Sequence, residues 1–340
     1  MKIVELSKFR LSKRYKTVMK RCSNNYDSLF PVVGKIMKEI ELYGDLAIKK
    51  YTNKFDGVNI SDTKVGLNEI RDAYKKVDKK YITALKQAIK NITAVHNNQI
   101  PPSAEKIIQT TPGVRVWKKW QPIERVGLYV PGGRALYPSS VLMNGIPAKI
   151  AGCKQITITT PPRKDGTIAP EILVTADMIG IKDIYKIGGI QGIGALTYGT
   201  RTIPKVDKIV GPGNSYVTVA KMIGLMSGKI AIDSPAGPSE VFTIADETAN
   251  SKFIASDLMC DTEHGEDSTA ILVSTSKKIL EQTIYEIKTN SKKFSTKKNI
   301  QKSINKYGLF ALVKSIEEGV NFANDYAPEH IQIMTKNSMN

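Results

Sequence analysis

The sequence predicts an α/β protein: two units with mostly parallel sheets, preceded by a helical N-terminal section. Three observations carry this expectation. Short apolar runs alternate with helix-like segments between residues 126 and 235. Those runs show little polar alternation, so both faces of each strand are buried, as in parallel sheets flanked by helices. The alternation then restarts after Pro235-Ala236-Gly237-Pro238. A chain of 340 residues also exceeds what one hydrophobic core usually serves, which favours two domains.

Along the chain, residues 1–27 form a basic helical arm, with eight Lys or Arg in the first 21 positions. Residues 28–53 and 68–96 space their apolar side chains three and four apart, which predicts helices, and Phe55-Asp56-Gly57 breaks them. Near residue 115 the pattern changes. Runs 114–117 and 125–130, with Pro122 and Pro131 after them, predict strands. Next come strand 155–160, helix 169–180, strand 183–187, helix 192–198, strand 205–210 and helix 215–226. The last third predicts strand 241–245, helix 251–260, strand 269–274, helix 277–290, strand 309–313 and helix 316–325. Lys-rich residues 291–302 form an exposed connection in this reading.

Composition narrows the class. Hydrophobic residues at 41% and charged residues at 24% describe a folding globular chain, not a disordered one. Cys22, Cys153 and Cys260 form no CxxC pair, so neither a disulfide framework nor a thiolate zinc site is indicated, and a reducing, cytoplasmic setting is expected. No apolar run reaches membrane-spanning length. The net charge of +18 raises nucleic-acid binding as a possibility. Residues 1–125 hold 26 basic against 12 acidic residues, so most of the excess lies on helices where Lys is a good former of a solvated face. No nucleic-acid motif accompanies it, and no nucleic-acid partner is expected.

Glycine turns follow the predicted strands at Pro131-Gly132-Gly133, Gly188-Gly189 and Gly211-Pro212-Gly213-Asn214. Such turns let backbone approach a ligand, and the third precedes a helix whose N–H groups favour an anion. The dinucleotide fingerprint is nevertheless absent: Thr197 and Tyr216 stand where its third glycine belongs. Of three histidines, two directly follow glutamate, in Glu263-His264 and Glu329-His330; His96 reads as surface. Asp261 and His264 stand three apart at the end of a helix, with Asp257 a turn behind and Glu263 pointing elsewhere. That spacing can offer a carboxylate and an imidazole to one metal, or simply be a solvated helix end. Glu329-His330 sits where a loop enters a strand, and a carboxylate beside an imidazole can divide proton transfers if burial tunes the pair.

The segments ERVGLYVPGG (124–133), IGGIQGIGAL (187–196), VDKIVGPGN (206–214), AIDSPAGPSE (231–240), TEHGEDS (262–268) and APEHI (327–331) closely resemble histidinol dehydrogenases, in order and spacing. The resemblance implies Rossmann-like units and NAD-dependent oxidation of L-histidinol through histidinaldehyde to L-histidine, with one zinc per site and a homodimer. It implies that Tyr129, Gln191 and Asn214 contact NAD, that Ser239 contacts substrate, and that His264 binds zinc. Glu329 and His330 match the acid–base pair. The expected substrate contacts are therefore Ser239, Asp261, His264 and His330, and the expected metal ligands Asp261 and His264.

The chain departs from the family pattern at two places. Asp261 stands where Gln is usual. The chain also ends at Asn340, before a segment from which the family draws an Asp, a His and part of its dimer contact. The expected organisation is an inserted nucleotide-binding domain at 120–236, within a discontinuous domain of 28–119 plus 237–340 that carries the metal and acid–base residues. Two alternatives stay open: a non-catalytic remnant of the same fold, and a dehydrogenase of another amino or sulfonated alcohol.

Overall fold

The computed structural model describes residues 1–19, 26–101, 106–132, 136–235, 237 and 239–338. Strand β1 (Ile3–Glu5) leads into helices α1 (Leu6–Arg10) and α2 (Lys13–Met19). Helices α3 (Phe30–Tyr43) and α4 (Asp45–Asp56) divide at Gly44, whose φ of 51° splits the single helix expected over 28–53. Then come α5 (Leu67–Tyr74), α6 (Lys79–Asn97) and an exposed antiparallel hairpin of β2 (Ile108–Thr111) and β3 (Val114–Val116). The strand–helix series begins with β4 (Arg125–Tyr129), α7 (Pro138–Ile150), β5 (Gln155–Thr160), α8 (Pro170–Met178) and β6 (Asp183–Lys186). It continues through α9 (Gly189–Tyr198), β7 (Lys208–Val210), α10 (Ser215–Met226) and β8 (Ala231–Ile232). The last third holds β9 (Glu240–Ala245), α11 (Ser251–Thr262), β10 (Thr269–Ser274), α12 (Lys277–Asn290), α13 (Lys297–Tyr307), β11 (Leu309–Leu312), α14 (Ile316–Tyr326) and β12 (His330–Met334).

Two compact units result: a central unit of residues 25–236, and a split unit of residues 1–24 with 237–340. This division differs from the one drawn from sequence, which joined 28–119 to 237–340 and set 1–27 apart as an arm. Helix α3 packs on α9 and α10, α4 on α9, α5 on α8, and α6 on α7. The N-terminal helices therefore cover the central sheet, with Met37, Ile40 and Ile48 sharing a core with Ile193, Leu196 and Val217. Periodicity shows that such a helix buries a face; it does not show against what. Conversely, β1 joins the split unit through parallel pairing with β11, Ile3 opposite Phe310.

The central sheet is all-parallel with order β6-β5-β4-β7-β8. From β4 the chain steps one way to β5 and later the other way to β7, which leaves a topological switch beside β4, the place where open α/β sheets bind ligands. Its two faces carry separate cores, one built on α3, α4, α9 and α10, the other on α5 to α8. The split sheet, order β1-β11-β10-β9-β12, is also all-parallel. Every residue of β9 and β10 is buried, as the unbroken apolar runs predict. Residues 291–302, expected as a connection, instead enter α13. Its Ile300, Ser303 and Ile304, three and four apart, turn inward while the lysines stay in water.

Candidate functional site

In the central unit a cleft of about 1140 Å³ opens at the C-terminal ends of the strands, beside the switch, lined among others by Asp56, Tyr129, Pro161, Gln191 and Asn214. Each of the three residues expected to meet a cofactor there is held by hydrogen bonds. Tyr129 ends β4 and is only 4% exposed; its hydroxyl accepts from the Gly189 N–H at 3.1 Å, and burial pushes its pKa up to about 12. It shapes the glycine turn from behind. Gln191, in the first turn of α9 and buried, donates from Nε2 to Asp56 Oδ2 at 3.0 Å. Asn214 caps α10, its Oδ1 accepting from Tyr216 N and Val217 N, both at 3.1 Å.

Asp56 was missed in the sequence, where Phe55-Asp56-Gly57 marked only a helix break. Burial raises its carboxyl to about 6, with the Gln191 hydrogen bond and the Lys164 charge acting the other way. A signal was available: an aspartate in the last turn of a helix faces the negative end of the macrodipole, where a carboxylate is disfavoured unless something else requires it. The turn after β7 depends on Gly211, at φ 119°, because a Cβ there would lie 2.1 Å from the Tyr129 carbonyl oxygen.

In the split unit the expected residues gather at the opposite end of the strands. Helix α11 runs back from β9, so its last turn returns to the edge where β9, β10 and β12 begin. Asp261 occupies that turn, and His264, just past the helix end, donates its N–H to the Asp261 carbonyl at 3.4 Å. Ser239 directly precedes β9 and accepts from Thr269 N at 2.9 Å. The buried Glu240 accepts the Glu329 N–H on Oε2 at 3.3 Å, and His330 opens β12 opposite Val241. His330 Nε2 lies 3.8 Å from Glu329 Oε1, and both side chains are 56% exposed, so the burial that would tune the pair is not supplied by this unit. Burial raises the Asp261 carboxyl, while the nearby His330 and His264 lower it and Asp257 raises it further. The edge thus brings Asp261 within electrostatic reach of both histidines.

The neighbouring groups behave as their positions suggest. Glu263 turns away, its Oε2 accepting from Thr296 Oγ1 at 2.9 Å and its carbonyl from Asn299 Nδ2 at 3.1 Å. The His96 ring pairs with Gln99 at the end of α6. Among the described residues, no three His, Cys, Asp or Glu side chains converge to hold a metal ion. Asp261 and His264 therefore amount to two donors, whereas a catalytic zinc normally takes three from protein. None of the described helices is long and apolar enough to cross a membrane.

A family model described as histidinol dehydrogenase matches residues 19–340. The chain is similar to the histidinol dehydrogenase of Methanocaldococcus jannaschii, 45% identical over 336 residues that cover 99% of this chain and 76% of that one. It is likewise similar to that of Clostridium acetobutylicum, 43% identical over 325 residues, covering 96% and 74%. Among solved structures it resembles histidinol dehydrogenase from Elizabethkingia anophelis at a TM-score of 0.86 and 45% identity, covering 91% of this chain and 70% of that one.

Proposed function

The chain belongs to the histidinol dehydrogenase family, which makes it an oxidoreductase of histidine biosynthesis, and we propose that it oxidises L-histidinol through histidinaldehyde to L-histidine with NAD as acceptor. The observation that carries this reading is the gathering of Ser239, Asp261, His264, Glu329 and His330 at one sheet edge. The cleft beside the β4 switch supports it, being roomy and bordered by glycine turns.

Bound NAD would supply the hydride acceptor for both oxidations. Gln191 and Asn214 would orient it, and Tyr129 would act through the Gly189 turn that its hydroxyl holds. In the first oxidation His330 accepts the proton of the substrate hydroxyl as hydride leaves carbon. In the second, Glu329 takes a proton from water as the water oxygen adds to the aldehyde carbon; the adduct then loses hydride while His330, its first proton released to solvent, takes the remaining hydroxyl proton, which leaves the carboxylate. Ser239 and His264 would bind the amino alcohol. Asp261 and His264 would be zinc donors, but two donors do not complete a catalytic zinc site, and the proton transfers here rest on Glu329 and His330 alone. A homodimer accords with the apolar side chains left exposed around the β2–β3 hairpin, including Ile108, Val116, Trp117 and Trp120.

The test is NADH formation by the purified chain with L-histidinol, against other amino alcohols and sulfonated alcohols and with NADP in place of NAD. Preference for histidinol and NAD is expected; equal turnover of an unrelated alcohol would overturn the substrate assignment, and no turnover of any would favour a non-catalytic protein of the same fold.

A further inference from the structure

An ion pair in the central unit, its lysine buried and its aspartate partly exposed, does nothing in the chemistry above, yet it grips the turn that leads to Asn214. Lys221 lies on the inward face of α10 and is only 3% exposed. Its Nζ donates to the Gly211 carbonyl at 3.0 Å and to Asp233 Oδ1. Asp233 follows β8, and its other oxygen, Oδ2, accepts the Gly211 N–H at 2.7 Å. Both backbone polar groups of Gly211 are thus bound by opposite ends of one ion pair. The same residue is pressed against the Tyr129 carbonyl, at a φ that only glycine adopts comfortably.

Burying an ammonium is costly, and an apolar side chain of similar size would usually serve packing as well or better. What an apolar residue would not do is dictate the path of Gly211-Pro212-Gly213. That path sets where Asn214 caps α10 at the lining of the cleft. Because no fingerprint glycine loop is present, the turn's shape has to be imposed from outside it.

We propose that Lys221 and Asp233 are positioning residues for the cofactor: together they hold the 211–213 turn in the conformation that receives NAD. This rests on reading the cleft as the NAD site. Removing either charge frees Gly211 and weakens NAD binding, without direct contact between Lys221 or Asp233 and the cofactor.

The experiment is calorimetric titration of NAD into the purified chain without substrate, for wild type, Lys221→Met, Asp233→Asn and the double variant, each checked by circular dichroism and thermal melting. Each single change is expected to weaken NAD binding by about tenfold, and the double change by scarcely more than either single one, since both act on one turn. Wild-type affinity in a folded Lys221→Met or Asp233→Asn protein would overturn the proposal, as would fully additive losses. Should Lys221→Met fail to fold, Asp233→Asn, which keeps an oxygen for the Gly211 N–H but loses the charge that holds Lys221 on the Gly211 carbonyl, decides alone. Absence of NAD binding by wild type would bring down the reading of the cleft itself and the proposal with it.

Discussion

The two parallel sheets use opposite ends. In the central unit the candidate residues stand at the C-terminal ends of the strands, where side chains such as Tyr129 and Gln191 are buried and fixed by hydrogen bonds to a turn or a neighbouring helix. In the split unit they stand at the N-terminal ends, where the Glu329 and His330 side chains remain half exposed while their backbones are held, the Glu329 N–H by Glu240 and His330 by its place opposite Val241. On the proposed reading the contrast separates two tasks. A cofactor cleft gains from rigidity, because an ordered pocket spends less of its binding free energy on arranging itself. Proton-transfer groups have to meet substrate and solvent, and their alignment often tightens only when substrate is present.

The change with the largest expected effect falls on the open edge. Glu329→Gln should slow histidinaldehyde oxidation by about 10²–10⁴-fold and histidinol oxidation much less, since only the second stage adds water. Measuring each half-reaction separately checks this, and equal losses would remove the division of labour between Glu329 and His330. The next falls on the cleft: Gln191→Ala combined with Asn214→Ala should weaken NAD binding by about 10- to 100-fold, each lost hydrogen bond counting for about 1 kcal/mol or somewhat more. An unchanged dissociation constant would mean that the rigid side chains are scaffolding and nothing else.

The smallest effect concerns Asp56 and is a matter of pH. Its carboxyl titrates at about 6 in the folded protein against an ordinary 3.8, so the folded state holds this proton more tightly than the unfolded one. The associated stability is fully present below pH 4 and is lost as pH rises through 6. Asp56→Asn should therefore raise the unfolding free energy at pH 8 and leave it nearly unchanged at pH 4. The full displacement corresponds to roughly 3 kcal/mol, which solvent screening of a partly exposed carboxyl reduces to about 1 kcal/mol. Chemical denaturation at both pH values decides it, and a gain of equal size at each would exclude the ionisation argument.

What was legible in the sequence follows the range of the forces involved. Strands 155–160 and 269–274 and helices 215–226 and 277–290 appear with the bounds expected, because local apolar runs, caps and glycine stops mark them. Strand β1 was not foreseen: three residues carry no periodicity, and what makes them a strand is pairing with residues 310–312, a non-local fact. The lysines of 291–302 hid the inward stripe of α13. Gln191 and Asn214, which line the cleft, could be singled out because they lie beside glycine turns. Asp56 carried only the weaker signal of its helix-end position, which marks the carboxylate as out of place but does not show that α4 brings it to the cleft by packing on α9.

The pairing of β1 with β11 also bears on how the protein is made. On a ribosome that releases the chain from its N-terminus, residues 3–5 emerge well before residues 310–312 and wait for the strand that will accept them until residue 312 has been synthesised. Every strand of the central sheet is by then complete, because the whole unit ends at residue 236. The central unit can therefore fold while synthesis continues, whereas the split unit has to join two segments that lie far apart in sequence, a late step whose entropy cost grows only slowly with loop length. Until then Ile3 and Val4 lack the strand they pair with, and an apolar segment without its partner is open to pairing with a chaperone or with another copy of the chain.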